Sequence, residues 1–440
     1  MLLFWFRRDL RLDDNAGLAL ALSMGLPVQP VFIFDRGILD RLENRSDARV
    51  AFIHAEVVRL DRELQALGGR LWTFYGTPDE AHAHWLAQHP EIQGLIANRD
   101  YEPYARARDQ RIEEIYRSSG RWFKGSKDHV VFEKSEVVKG DGTPYTVFTP
   151  YSRRWRERLA LEGLPSHPSR EQLPQGLRQD LMAPEIPTLA GMNFSDPGIE
   201  IPPVRWAEDQ IRRYAERRDT PSDESGTTRL GLHLRFGTLG VRQLLRATRD
   251  LSDTFVSELI WRDFYQMVLY HFPESPQKAI KPAYDRIQWE RDERHFDAWC
   301  AGTTGYPLVD AGMRQLNQTG YMHNRVRMVV ASFLTKHLLI DWRWGEAYFA
   351  QKLLDYDQAS NVGGWQWASG SGNDAAPYFR IFNPESQRQK FDATETYVRK
   401  WVPEFGTSKY PKPIVDHAWA RERCLTRYKA GLAEALSSLG

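Results

Sequence analysis

Hydrophobic periodicity changes once along this chain, near residue 130, and that change limits what the chain can fold into. Upstream, short apolar runs alternate with helical patterns. LLFWF (2–6), PVQPVFIFD (27–35), RLWTFYG (70–76) and IQGLIANRD (92–100) read as buried strands. NAGLALALSMG, ARVAFIHAEVVRLDRELQALGG and TPDEAHAHWLAQH, which lie between them, read as helices. Such alternation predicts βαβ units around a parallel, doubly wound sheet, an α/β domain over residues 1–130. Asp13 or Asp14 is expected to cap the first helix and Gly68-Gly69 to end the second. No G-x-G-x-x-G follows the first strand, so the usual dinucleotide fingerprint is absent.

Residues 131–204 are rich in proline and read as an interdomain linker, with one basic helical piece, YSRRWRERL, carrying Arg153, Arg154, Arg156 and Arg158. That piece is either a solvated helix face or a nucleic-acid contact. Residues 205–440 read as all-α, in stretches such as WAEDQIRRYAERRD, FVSELIWRDFYQMVLYHF and YMHNRVRMVVASFLTKHLL. The chain shows no internal repeat and is expected to end on a helix without a long polar tail.

Composition excludes several functions. Lys+Arg 59 against Asp+Glu 58 leaves a net charge of +1, so any nucleic-acid site must be a local basic patch. Cys300 and Cys424 are too few for a disulfide framework or a four-cysteine cluster, and they fit a reducing cytoplasm. No secretory signal is expected in MLLFWFRRDLRLDD, and no run approaches the ~20 apolar residues of a membrane span. The HAH at 82–84 reads as helix surface, and no metal site is expected.

The informative residues lie in the helical part. SGTTRLGLHLRFG (225–237) sets Ser225, Gly226, Thr227 and Thr228 ahead of a helix. This is either an anion site with Arg229 nearby or a plain capped helix. ELIWRDFY places Glu258, Trp261 and Tyr265 on one helix face, where an inward Glu needs a partner. In YMHNRVRM, Asn324 and Met328 share a face. Each face alone is ordinary core; together they suit a planar, hydrogen-bonding ligand. DYDQASNVGGWQWASGSGNDAAPYFRIFNP (355–384) combines acids, Asn, a Gly pair, two Trp and a polar loop, which packing alone does not explain. Trp365 and Trp367 fall on different helix faces there.

WFRRDLRLDDN, TGYPLVDAGMRQLNQTGYMHNRVRM and NVGGWQWASGSGNDAAPYFRIFNP resemble, in this order, signature stretches of the photolyase/cryptochrome flavoproteins. The resemblance covers nearly the whole chain. It is strongest to class I enzymes that repair cyclobutane pyrimidine dimers (CPDs). It implies an α/β antenna domain, a connecting loop and an all-α domain holding U-shaped FAD below a cavity for a flipped-out dimer. By resemblance Tyr214, Thr227, Thr228, Arg229 and Leu230 hold the diphosphate and ribose. Gly231 stands where the family usually has Ser. Arg327, Asp355, Asp357 and Asn361 match flavin positions, Asn361 facing N5 and Val362 following it.

Glu258, Trp261, Asn324, Met328 and Trp367 match dimer-binding positions. Met328 stands where enzymes acting on (6-4) photoproducts tend to have His, and a thioether donates no proton. Trp365, Trp342 and Trp289 match the family's photoreduction chain; without the family they read as core aromatics. Arg218, Arg325, Arg388 and Lys390 are candidates for DNA binding. Tyr104-Ala105 replaces the Asn-Glu pair of folate-binding relatives, which favours a deazaflavin or flavin antenna over methenyltetrahydrofolate. Its expected contacts are Phe34, Asp35, Arg49, Asp100 and Glu102. The resemblance thus implies a monomeric CPD photolyase acting on UV-damaged DNA. A blue-light cryptochrome and a (6-4) photolyase are the alternatives. A nucleotide-dependent ligase would need a phosphate loop that the chain lacks.

Overall fold

The structure is a computed structural model and describes residues 1–437. The chain packs as two compact units, neither of them one continuous segment. The first comprises Met1–Val137, Arg154–Arg205 and Arg229–Asp250. Its centre is a five-stranded parallel sheet: β1 Leu2–Phe6, β2 Val28–Asp35, β3 Trp72–Gly76, β4 Gly94–Asn98 and β5 Trp122–Ser126. The order is β3-β2-β1-β4-β5. β1, β2 and β4 are buried along their whole length, as expected of a parallel sheet covered on both faces. Pro30 lacks a ladder N–H, and it lies before the first rung that β2 shares with β3, Val31↔Trp72. β5 was not evident in the sequence: it is a half-exposed edge strand, WFKGS, with Lys124 outward.

Two local expectations are corrected here. Neither Asp13 nor Asp14 caps the first helix, Ala16–Leu22; Asn15 does, its side-chain oxygen accepting the Leu18 N–H at 3.1 Å. Asp14 sits at φ 46°. Its carboxylate instead accepts from the His167 N–H at 2.8 Å and Arg246 at 2.6 Å. His82 is not on the surface: it packs edge-on to Trp5 and Trp85, and Nδ1 lies 3.1 Å from the Tyr116 hydroxyl. Burial pushes its pKa down to about 3. His84, two residues on, is the exposed one. Gly68 does end the Ala48–Gln65 helix, at φ 88°, a conformation costly for any residue with a Cβ.

The proline-rich segment contributes core. Leu173, Leu177, Met192 and Phe194 are buried with residues of β1 and β2. Arg11 and Arg242 both donate to the buried Asp128, at 2.9 and 2.8 Å, tying the Val241–Thr248 helix to the start of the chain. Burial opposes the charge on Asp128, but the two guanidinium groups outweigh it and hold the carboxyl well below its usual range. Removing either partner would strand a buried charge, a loss of about 3–5 kcal/mol.

The second unit comprises Val138–Arg153, Trp206–Thr228 and Leu251–Gly440, and its described residues form helices and loops. Trp299, Val326, Phe333, Trp342, Phe349 and Trp365 belong to its buried core. Three helices carry the residues of interest: Asp253–His271, Asn324–Ser332 and Gln358–Ser369. The segment expected as one helix, WAEDQIRRYAERRD, is instead two short ones, Glu208–Arg212 and Tyr214–Arg217, broken at Arg213, whose ψ of 8° leaves the helical range. Among the described residues, no helix is long and apolar enough to cross a membrane, and no three His, Cys, Asp or Glu cluster as metal ligands.

Candidate functional site

Each of the three helices is started by a side chain that accepts from its first turn. Ser252 accepts from Phe255 N–H, His323 from Arg325 N–H and Asp357 from Ser360 N–H. These caps set where Glu258, Met328 and Asn361 emerge. His323 takes its hydrogen bond on Nδ1, and burial pushes its pKa down to about 4, so it is neutral. Met328 is half-buried one turn further on, and its sulfur lies 3.7 Å from Arg325 Nη1. Asn324, at the helix start, is exposed.

Glu258 is half-buried, and Arg218 donates to its Oε1. Burial raises the pKa of Glu258, and Arg218 only partly offsets this. Trp261, three residues along the same helix, stacks on Phe148 with ring centroids 3.7 Å apart. Trp367 is half-buried and Trp365 fully buried, so they occupy different faces of their helix as expected.

The acidic residues are tightly held. Asp355 accepts from Arg327 Nη2 at 2.9 and 3.1 Å, and Arg327 Nε donates to the Met322 carbonyl. Asp357 accepts from Gln266 Nε2 at 3.0 and 3.1 Å. Asn361 donates through Nδ2 to the Glu346 carboxylate at 3.0 Å and to its carbonyl at 3.2 Å. Burial raises the pKa of Glu346, which also accepts from the Tyr356 hydroxyl. The Thr227 hydroxyl meets that of Tyr321 at 3.2 Å, and Gln210 holds the Ser225 and Thr227 carbonyls. Tyr214 packs edge-on to Phe255. Arg229 and Leu230, which follow Thr228 in the chain, group with the first unit, Arg229 at φ 53°.

This set fits a flavin dinucleotide. It offers carboxylates, an amide and hydroxyls for N–H and O–H groups. Gly364 faces open space where a Cβ would stand, while a Cβ on Gly363 would clash with the Tyr265 ring. The Gln266 Oε1 is buried with no hydrogen-bond donor on it among the described residues. Gln266, Glu346 and Phe148 were not singled out from the sequence. Gln266 was within reach, because it lies two turns beyond Glu258 on the same helix. Glu346 and Phe148 carry no local signal.

The other expected residues are placed as follows. Trp342 is buried, Trp289 half-buried, and Trp365 packs against the Trp342–Lys352 helix at Gly345. The ring contacts of Trp365 are with Trp299 and Phe349 and that of Trp289 with Tyr428, so no ring contact joins the three among the described residues. Three of the four basic candidates are paired: Arg218 with Glu258, Arg325 with Asp219 at 2.8 Å, Arg388 with Glu385 and Glu395 at 2.6 and 2.9 Å. Lys390 is exposed beside Phe391. In the first unit, Asp35 accepts from the Tyr104 hydroxyl at 2.7 Å, and Arg49 pairs with Asp47. Phe34 is buried on Phe32. Asp100 and Glu102, past the end of β4, both accept from Arg8, and Glu102 also from Arg235. β1 and β4 are adjacent where the strand order reverses, the place where open α/β sheets bind ligands.

Two family models match the chain. One, described as DNA photolyase, covers residues 2–173; the other, the FAD binding domain of DNA photolyase, covers residues 255–409. A deoxyribodipyrimidine photo-lyase of a Synechococcus strain is 37 % identical over 98 % of this chain and 98 % of its own. The crystal structure of a bacterial class III photolyase from Agrobacterium tumefaciens superposes with a TM-score of 0.83 at 35 % identity, covering 98 % of this chain and 97 % of that one. That of an archaeal photolyase from Sulfolobus tokodaii with two FAD molecules gives 0.83 at 33 %, covering 98 % and 99 %. With relatives this similar across both units, the chain belongs to the photolyase/cryptochrome family.

Proposed function

We propose that the protein is a light-driven deoxyribodipyrimidine photo-lyase that splits CPDs in UV-damaged DNA. The observation that carries this is the set of side chains on two helices: Glu258 and Trp261 on one, Asn324 and Met328 on the other. Photoexcited reduced FAD would supply the electron to the dimer. Trp261 and Trp367 offer rings for stacking, worth ~1–3 kcal/mol per base. Glu258, its charge partly balanced by Arg218, and Asn324 offer hydrogen bonds to pyrimidine edges. Any proton that Glu258 carries or shares steadies the charge on the reduced base. Met328 has no proton to give, which disfavours (6-4) chemistry.

Asp355 and Asp357 would receive N–H and O–H groups of FAD. Glu346 holds the Asn361 Nδ2, which leaves the amide oxygen as the acceptor for an N–H such as that at N5 of the reduced ring. Flipping a dimer costs a few kcal/mol, less than flipping a normal base. Lys390 and the paired arginines would meet the phosphates, and binding would weaken with salt. The class I likeness lies in motifs, and a class III structure superposes over nearly the whole chain, so the proposal is made for the lesion and not the class. The relative with two FAD molecules supports a flavin as antenna, and Asp35, Asp100 and Glu102 are the residues we propose for it. We place the enzyme in the cytoplasm as a monomer.

Light-dependent repair by reduced enzyme tests this, on one oligonucleotide with a CPD and one with a (6-4) photoproduct, each with a dark control. Repair of the CPD alone, in light only, is expected. Repair of neither by FAD-loaded protein would overturn this reading and shift the weight to a photoreceptor.

A further inference from the structure

Phe148 lies in the stretch that joins the two parts of the sequence, where no periodicity marks it. Its ring lies flat on Trp261, centroids 3.7 Å apart and planes 4° from parallel. The other rings on Trp261 are inclined: Phe264 by 81° and Tyr265 by 32°. Phe148 also meets Phe264 edge-on at 5.9 Å.

The residue is held in place from a distant loop. The Asp374 N–H donates to the Thr146 carbonyl at 2.8 Å, and the Asp374 carboxylate faces the Phe148 N–H, which partly offsets the rise in its pKa that burial causes. Phe148 is the first residue of the Phe148–Glu162 helix, so its N–H has no partner within the helix, and a carboxylate suits that end. Asp374 adopts φ 49°, a backbone region that costs energy for a residue with a Cβ. Asp374 thus ties its N–H to Thr146 and turns its carboxylate toward the start of the Phe148–Glu162 helix.

We propose that Phe148 is a positioning residue for lesion binding. It backs one face of Trp261, fixes the plane of the indole and leaves the opposite face for a pyrimidine dimer, while Asp374 holds Phe148 in place. A half-buried indole without such backing turns about its two side-chain torsions, and a stacked ligand must first still it. Backing by Phe148 meets that cost during folding. Phe148 acts in this way only if Trp261 is the lesion-stacking surface proposed above.

The test uses FAD-loaded enzyme in the dark and fluorescence-labelled duplexes with and without one CPD. Phe148→Ala is expected to bind the CPD duplex about three- to tenfold more weakly, the span of one aromatic pair, with undamaged-duplex affinity and FAD content unchanged. Phe148→Tyr keeps the ring and should bind as wild type. Phe148→Leu keeps apolar bulk without a ring and should fall with Phe148→Ala; it decides the matter if Phe148→Ala loses FAD. Asp374→Asn keeps an acceptor and tolerates the left-handed backbone, so it should resemble wild type, whereas Asp374→Ala should lose CPD affinity. Wild-type CPD affinity in both Phe148→Ala and Phe148→Leu would overturn the role. So would tighter CPD binding by either, since the ring would then be covering the lesion face. Trp261→Ala tests the underlying reading separately: if it keeps wild-type CPD affinity, the lesion-stacking role of Trp261 fails whatever Phe148 does.

Discussion

Replacing Gln266 with Leu should weaken FAD binding while leaving a folded apoprotein. Gln266 is 2 % exposed, and its Nε2 lies 3.0 and 3.1 Å from the two oxygens of Asp357. The Ser360 N–H also donates to that carboxylate, at 3.2 Å. A hydrogen bond to a charged group contributes about 1.5–3 kcal/mol, and Leu supplies none. Asp357 would then be freer to turn and costlier to keep ionised in a buried place. If Asp357 receives an N–H or O–H of FAD, part of that loss appears as affinity. At 1.4 kcal/mol per decade, a loss of about 1.5–3 kcal/mol corresponds to about 10- to 100-fold. Titrating FAD into apoprotein by flavin fluorescence reads this directly, and urea unfolding of the apoprotein reads the structural share. Gln266→Glu, which sets a second acid against Asp357, should lose more. Unchanged FAD affinity in Gln266→Leu would refute the assignment of Asp357 as a cofactor residue held by Gln266.

Glu258→Ala should lower repair yield more than CPD binding, because its carboxyl would act on the charge that develops after electron transfer; equal losses in a binding and a single-turnover repair assay would make it a binding residue only. The pH dependence follows from His82, His323 and His337, which burial holds neutral down to about 3, 4 and 3. Unfolded, each takes up a proton near its ordinary pKa of 6.5, so the unfolded state binds more protons and stability falls as pH drops from about 6.5 toward 4. Urea midpoints at pH 7, 6 and 5 should show that fall, and His323→Asn, which keeps a cap, should make it shallower. Trp342→Phe should slow photoreduction of oxidised flavin yet spare repair by enzyme reduced beforehand; an unchanged photoreduction rate would remove this buried ring from the electron path.

Much of the fold was legible because its signals are local. Four strands and the helices between them follow from apolar runs and periodicity, since a strand buried on both faces must be apolar throughout. β5 escaped because an edge strand needs no such run. The cap at Asn15 escaped because Asp13, Asp14 and Asn15 are all good cap residues. The choice depended on Asp14 being drawn away by His167 and Arg246. The candidate site was legible as motifs: spacing set Glu258 and Met328 on helices, where the structure has them, and the resemblance pointed to Asp357, which caps a third helix, and to Asn361 within it.

The sequence by itself determined the alternation of elements, the parallel sheet and the family, because each depends on residues within a few turns of one another. Only the tertiary structure decided which charges neutralise which. Arg218 and Arg325, candidates for DNA binding in the sequence, face Glu258 and Asp219, 40 and 106 positions away. It alone brought Phe148 onto Trp261 and Gln266 onto Asp357. Contacts between residues so far apart in the chain are set by how whole helices pack and loops close, and no periodicity in either partner records them.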